Sequence, residues 1–246
     1  YKRQTAILTK NITLYAIACV AYYYVGYNLM YGSGNSFVGS GVMMSGTSAD
    51  GHSLISDFFF QVVFVATAAS IVSGTVAERI KFWPFIGFIL VLTGVIYPIQ
   101  GHWSWGGTSL GGLIDGFSDF AGSTIVHSVG GWCALAGCIV LGARKGKYGT
   151  DGKVNPMPAS ALPLATLGTF LLWFGWFGFN GGSQLALGSV ADASSMARIF
   201  ANTNLAAAGG VVVSLILGQI LYKKVDLTFV LNLRILFYTF IFSYFT

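Results

Sequence analysis

Seven runs of apolar residues, each about as long as a bilayer is thick, leave this chain few folds to choose from. They extend over residues 12–31, 57–76, 83–103, 119–141, 161–179, 198–222 and 227–245. A helix crosses a hydrocarbon core of about 30 Å with about 20 residues, and it satisfies its own backbone polar groups on the way. Short connections separate the runs, so they read as one bundle with no soluble domain between them. Composition points the same way: 54% of the 246 residues are hydrophobic and 9% are charged, whereas soluble domains carry about 25% charged residues. The expected fold class is therefore an all-α membrane protein, a polytopic helical bundle. Its expected location is a cell membrane (plasma or bacterial inner membrane), crossed many times.

The few charges orient the bundle. Lys2, Arg3 and Lys10 precede or open the first run, and Arg79 and Lys81 follow the second. Arg144, Lys145, Lys147 and Lys153 follow the fourth, and Lys223 and Lys224 follow the sixth. The connections between these carry Asp50, Asp115 and Asp192 but no Lys or Arg; Arg198 and Arg234 are the exceptions to the alternation. The positive-inside rule places the N-terminus and the basic connections in the cytoplasm. Basic residues spread over short loops do not make a nucleic-acid surface, so the expected partner is the lipid bilayer and not nucleic acid. Cys19, Cys133 and Cys138 lie in apolar runs without a Cys-x-x-Cys pair and read as packing residues. No metal or cofactor is expected.

The fourth run holds the most informative residues. Asp119 opens it, His127 follows eight positions later, and Gly122, Ser123, Gly130, Gly131, Ala134, Ala136 and Gly137 leave room for close helix approach. If the run is helical throughout, His127 lies about 12 Å below Asp119, near the bilayer midplane. An ionisable residue there is costly and marks either a functional group or a hydrogen-bonded histidine tying two helices together. Asp119 reads first as a cap for orphan backbone N–H groups, with its charge available to support a nearby cation. In the second run Phe64 stands about 10 Å from Asp57 along a helix, and Glu78 and Arg79 end that helix and pair with neighbours. The third run ends in Gly101-His102-Trp103-Ser104-Trp105-Gly106-Gly107, where tryptophan serves either as an interfacial anchor or as an aromatic face for a cation. The fifth run ends in a string of aromatics and small residues from Trp173 to Ser183. His52 and His102, next to loops, read as surface or interface residues. Asp115 and Asp119 have no histidine near enough in sequence to complete a metal set, and no nucleophile stands paired with a base, so an enzyme is not expected.

Four of these stretches, in this order, resemble the Amt/MEP/Rh ammonium transporter family, its Amt branch in particular. They are Gln61, Phe64 and Ala77-Glu78-Arg79-Ile80; His102 to Gly107; Asp119-Phe120-Ala121-Gly122 with His127, Gly130, Gly131 and Arg144; and Phe179-Asn180-Gly181-Gly182-Ser183. The resemblance covers most of residues 10–232. It implies about seven helices of an eleven-helix inverted-repeat fold, with a partial transporter domain at 1–232 and a divergent end at 233–246. The family's first helix, its C-terminal part and its second pore histidine would then lie outside this sequence. It further implies transmembrane transport of ammonium or ammonia through a hydrophobic pore. Trp105 and Ser183 would recruit the substrate, Phe64 and Phe179 would form an aromatic gate, His127 would line the pore, and Asp119 would support the site. A homotrimer and a PII signalling protein are the partners it implies. The alternative is a seven-helix membrane receptor or retinal-type sensor. The cytoplasmic N-terminus opposes it, and the seventh run has no lysine to form a Schiff base.

The charge alternation generates a direct test. Single cysteines introduced beside Asp115 and beside Lys147 are expected to label from opposite sides of intact cells, Asp115 from outside. Labelling of both from one side would refute the assigned topology.

Overall fold

A computed structural model of the chain describes residues 2–41, 46–47 and 51–231. Eight α-helices follow in order among these residues: α1 (Lys2–Ala21), α2 (Tyr27–Tyr31), α3 (Leu54–Thr75), α4 (Phe82–Val91), α5 (Tyr97–His102), α6 (Ile125–Leu141), α7 (Leu162–Gly182) and α8 (Val190–Tyr222). One turn of π-helix, Tyr22–Gly26, joins α1 to α2, and another, Leu92–Ile96, joins α4 to α5. Each pair is thus one continuous rod. Among the described residues, five helical spans are long and apolar enough to cross a membrane: Thr5–Tyr31, Leu54–Thr75, Phe82–His102, Leu162–Gly182 and Val190–Tyr222. Helix α6 is shorter, 17 residues, or about 25 Å. Beyond these eight helices, the seventh run is helical over residues 227–231. Its remainder lies outside the described residues, together with Asp50, Asn232, Arg234 and the end assigned to 233–246.

The first run is helical from Lys2 and not only from residue 12, and two further boundaries move for a local reason. The fourth run is not helical from Asp119: the helix starts at Ile125, because the preceding residues form a turn around the Asp119 side chain. The sixth run starts earlier than residue 198, at Val190. Ser189 and Asp192 form a capping box there, with the Ser189 hydroxyl accepting from the Asp192 N–H at 3.1 Å and the Asp192 carboxylate accepting from the Ser189 N–H at 3.1 Å.

The described residues fall into two compact units, one ending at Pro156 and the other beginning at Met157. In the first, α3 packs along α6 and both flanking rods lean on α3. Small residues make the α3–α6 approach close. A Cβ on Gly130 would stand 2.9 Å from both the Ala68 carbonyl oxygen and the Ile71 Cβ, and one on Gly137 would stand 2.8 Å from Val76. The two π turns pack on each other. There a Cβ on Gly26 would meet the Thr93 carbonyl oxygen and Pro98 Cγ, each at 2.9 Å. Buried Phe64, Val65, Ala68, Ala69 and Val72 of α3, with Val126, Val129 and Ala134 of α6, form the core between them. At the far end Arg79 donates to the Gly142 and Thr75 carbonyls, and Arg144 reaches the Gly74 carbonyl at 3.2 Å and Glu78 at 3.7 Å. In the second unit α7 and α8 pair through a buried bond from the Asn180 amide to Thr203 Oγ1, 2.9 Å.

The α3–α6 packing yields a paired prediction. Gly130→Ala is expected to cost about 1–3 kcal/mol, as overpacking does. Gly131→Ala, on the open side with nothing within 4 Å, is expected to be neutral or slightly stabilising. Thermal unfolding of both variants in lipid nanodiscs checks the contrast, since helix propensity changes equally in the two.

Candidate functional site

Between α5 and α6 the chain runs through turns, and the backbone there needs partners that no helix supplies. Asp119 provides them. Its Oδ1 accepts from the N–H of Gly122 (2.9 Å) and Ser123 (3.0 Å), and its Oδ2 accepts from Thr124 (2.8 Å) and Ile125 (2.7 Å). All four bonds are charge-assisted, the stronger class of hydrogen bond. Gly122 sits at the pivot with φ +87°, a left-handed conformation that glycine adopts without steric cost.

The same turn fixes two aromatic rings and the histidine. Trp105 donates its indole N–H to the Asp119 carbonyl at 2.7 Å. Its ring lies over Gly122, where a Cβ would come within 2.9 Å of it. Phe64, fully buried on α3, meets Trp105 edge-on at 5.9 Å between centroids, and Phe60 also meets Phe64 edge-on at 4.7 Å. His127, half-buried in the first turn of α6, places Nδ1 at 3.3 Å from the Gly122 carbonyl. Phe64, Trp105, Asp119 and His127 therefore form one contiguous assembly in the first unit. The helical rise assumed between Asp119 and His127 is absent, because only residues 125–127 of that interval are helical.

In the second unit Phe179 lies in the last turn of α7 and Ser183 is the residue that follows its end. The Ser183 hydroxyl donates to the Phe179 carbonyl at 2.9 Å, which leaves its oxygen lone pairs as acceptors. Trp176 packs against Phe179 at 5.4 Å.

Two buried polar clusters join residues that the sequence leaves far apart. His102 is buried, not at a surface: its Nδ1 lies 2.6 Å from the Met30 carbonyl and its Nε2 lies 3.0 Å from the Asn35 carbonyl. With Trp103, whose indole donates to the Phe37 carbonyl at 2.9 Å, it holds the loop after α2. Asp57, buried at the start of α3, accepts from the Tyr27 hydroxyl at 2.8 Å and has Gln61 Nε2 at 3.5 Å and His52 Nε2 at 4.0 Å. The available signal for Asp57 was a carboxylate directly before three phenylalanines, a place where a charge needs buried partners.

Asp119→Asn keeps the shape of the turn but offers one acceptor oxygen in place of two. Two N–H groups lose their carboxylate partner, at about 1–3 kcal/mol each. The variant is expected to unfold several degrees below the parent, while Asp115→Asn, in an exposed turn, stays within about 0.5 kcal/mol of it. Thermal unfolding monitored by circular dichroism separates the two.

Comparison with known proteins gives the family of the chain. The model of the Ammonium Transporter Family matches residues 1–235. Ammonium transporter Amt2 of Archaeoglobus fulgidus is 42% identical over 242 residues, 94% of this chain and 50% of that protein. A putative ammonium transporter of Synechocystis is 42% identical over 216 residues, 85% of this chain and 48% of that protein. Among solved structures, a Sensor Amt Protein superposes with a TM-score of 0.79 at 38% identity, over 91% of this chain and 56% of that one. Mep2 of Candida albicans superposes with a TM-score of 0.75 at 26% identity, over 94% of this chain and 55% of that one. The chain spans about half the length of the curated relatives it matches. Both curated relatives are named ammonium transporters, which does not favour the receptor reading, and with the helical fold the comparisons establish that the chain is a multi-pass membrane protein and belongs to the ammonium transporter family.

Proposed function

We propose that the protein to which these residues belong carries ammonium or ammonia across the membrane, and that Trp105, Phe64 and His127 act in sequence along its path. The observation that carries this reading is the continuous contact from Phe64 through Trp105 and the Asp119–Gly122 turn to His127. A hydrated cation must shed water before it enters an apolar path. The face of Trp105 replaces part of that hydration by cation–π attraction, about 0.5–2 kcal/mol. Because its indole N–H is spent on the Asp119 carbonyl, the ring is held in place before the cation arrives. Ser183 is assigned as a hydrogen-bond acceptor for ammonium, which a potassium ion cannot use, having no hydrogen to donate.

Phe64 and Phe179 are assigned as the gate. An apolar constriction costs a bare ion several kcal/mol and neutral ammonia far less. His127 then offers its imidazole to the neutral species. With the proton on Nδ1 directed at the Gly122 carbonyl, Nε2 carries the lone pair and accepts an N–H from ammonia. Asp119 acts by building the turn that holds Trp105 and His127, and its charge favours a cation nearby. A homotrimer, and a PII signalling protein at the cytoplasmic side, complete the proposal on family grounds.

Uptake of radiolabelled methylammonium by a full-length transporter carrying this sequence, in cells lacking their own ammonium transporters, tests it. Trp105→Leu is expected to raise the apparent KM about 2- to 30-fold, the range that the loss of a cation–π contact implies. Ser183→Ala is expected to have a smaller effect, and His127→Ala to change the rate or the ion selectivity. Uptake indifferent to all three substitutions would remove the proposed path.

A further inference from the structure

Directly after α6 the chain folds into a small antiparallel hairpin. The Gly149 N–H donates to the Lys153 carbonyl and the Asn155 N–H donates to the Lys147 carbonyl, each at 2.8 Å. The Asn155 side chain closes the base on the Gly146 carbonyl at 2.9 Å, and Asp151 accepts from the Lys153 N–H at 3.1 Å near the tip. These bonds flank Tyr148 and Val154, which stand opposite one another. Opposed residues of an antiparallel pair project from the same face and their neighbours from the other. The hairpin is therefore two-faced. Tyr148 and Val154, 61% and 60% exposed, occupy one face. Lys147 and Lys153 occupy the opposite face, and exposed Lys145 stands just before them. Lys153 is partnered by Asp151 at 3.1 Å, and Arg144 by Glu78. Among the described residues, no carboxylate lies within ion-pair distance of Lys145 or Lys147.

Chain connectivity decides what surface is available to cover the apolar pair. Arg144 is three residues beyond Leu141, the end of a helix whose last turn bears Ile139 and Val140 at 74% and 83% exposure. The bilayer surface is thus within a few residues' reach. The charge alternation sets this connection on the cytoplasmic side, where the leaflet is anionic and attracts lysines at about 1 kcal/mol each. An apolar face with an aromatic residue, backed by lysines on the other face, is the pattern of an element lying in a membrane interface.

We propose that residues 143–155 dock onto the anionic leaflet, with Tyr148 and Val154 seated at headgroup level and Lys145, Lys147 and Lys153 held by lipid phosphates. The hairpin thereby anchors the cytoplasmic end of α6 to the lipid. The docking is independent of what the pore carries.

Limited chymotrypsin digestion of the native chain in nanodiscs tests this without labels. Cleavage after Tyr148 is read against cleavage after Phe37, an exposed aromatic in the loop following α2. Moving from phosphatidylcholine to a mixture with phosphatidylglycerol is expected to lower the Tyr148 to Phe37 ratio about tenfold. The triple variant Lys145→Gln, Lys147→Gln, Lys153→Gln, checked for helicity by circular dichroism, is expected to restore it. An equal ratio in the two lipids, at whatever level, overturns the proposal. So does protection that survives in the triple variant, as it would if an apolar protein contact covered the face.

Discussion

The carboxylate of Asp119 binds four backbone N–H groups in a stretch where the chain must stop being helical and start again. In an apolar surrounding an unsatisfied amide costs about as much as a lost hydrogen bond, so a turn of this kind stands only with such a partner. One side chain thus determines where α6 begins, and with it the direction in which His127 leaves the backbone. The carbonyl of the same residue takes the Trp105 indole. Removing the carboxylate would loosen the turn, the tryptophan and the histidine together, although Asp119 itself need not touch a substrate.

The assembly also depends on how closely its helices approach. Gly130 lets α6 lie against the backbone of α3, and Gly26 does the same where the two π turns meet. Close approach brings Phe64 on α3 within edge-on contact of Trp105, which belongs to the turn after α5. In lipid there is no hydrophobic drive to push helices together, so association rests on this kind of tight packing and on buried hydrogen bonds. The Asp57–Tyr27 bond and the two carbonyl contacts of His102 are of that second kind. They brace the same unit without touching the contact between Phe64 and Trp105.

The basic connection after α6 shows how one set of residues serves at two levels. As composition, its lysines orient the chain in the membrane. As structure, the hairpin sorts them to one face and leaves Tyr148 and Val154 on the other. Charge alone carries no such sorting, because it arises from strand pairing between residues six positions apart.

The sequence by itself determined that this chain is a helical membrane bundle, because apolar runs of bilayer length permit little else, and the paucity of charge excludes a soluble core. It also marked the stretches that carry the family likeness, since their unusual residues interrupt apolar runs at a cost. Asp119 was legible as a capping group from its place before a helix. The number of amides it would bind, and the delay of α6 to Ile125, were not, because they depend on a turn conformation that periodicity does not encode. The tertiary structure alone decided that Phe64, Trp105 and His127 share one assembly, that Asp57 finds Tyr27, and that His102 is buried between two carbonyls. Each of these joins residues from separate helices or turns, and such pairings follow from the crossing of packed helices, which a single apolar pattern along the chain leaves open.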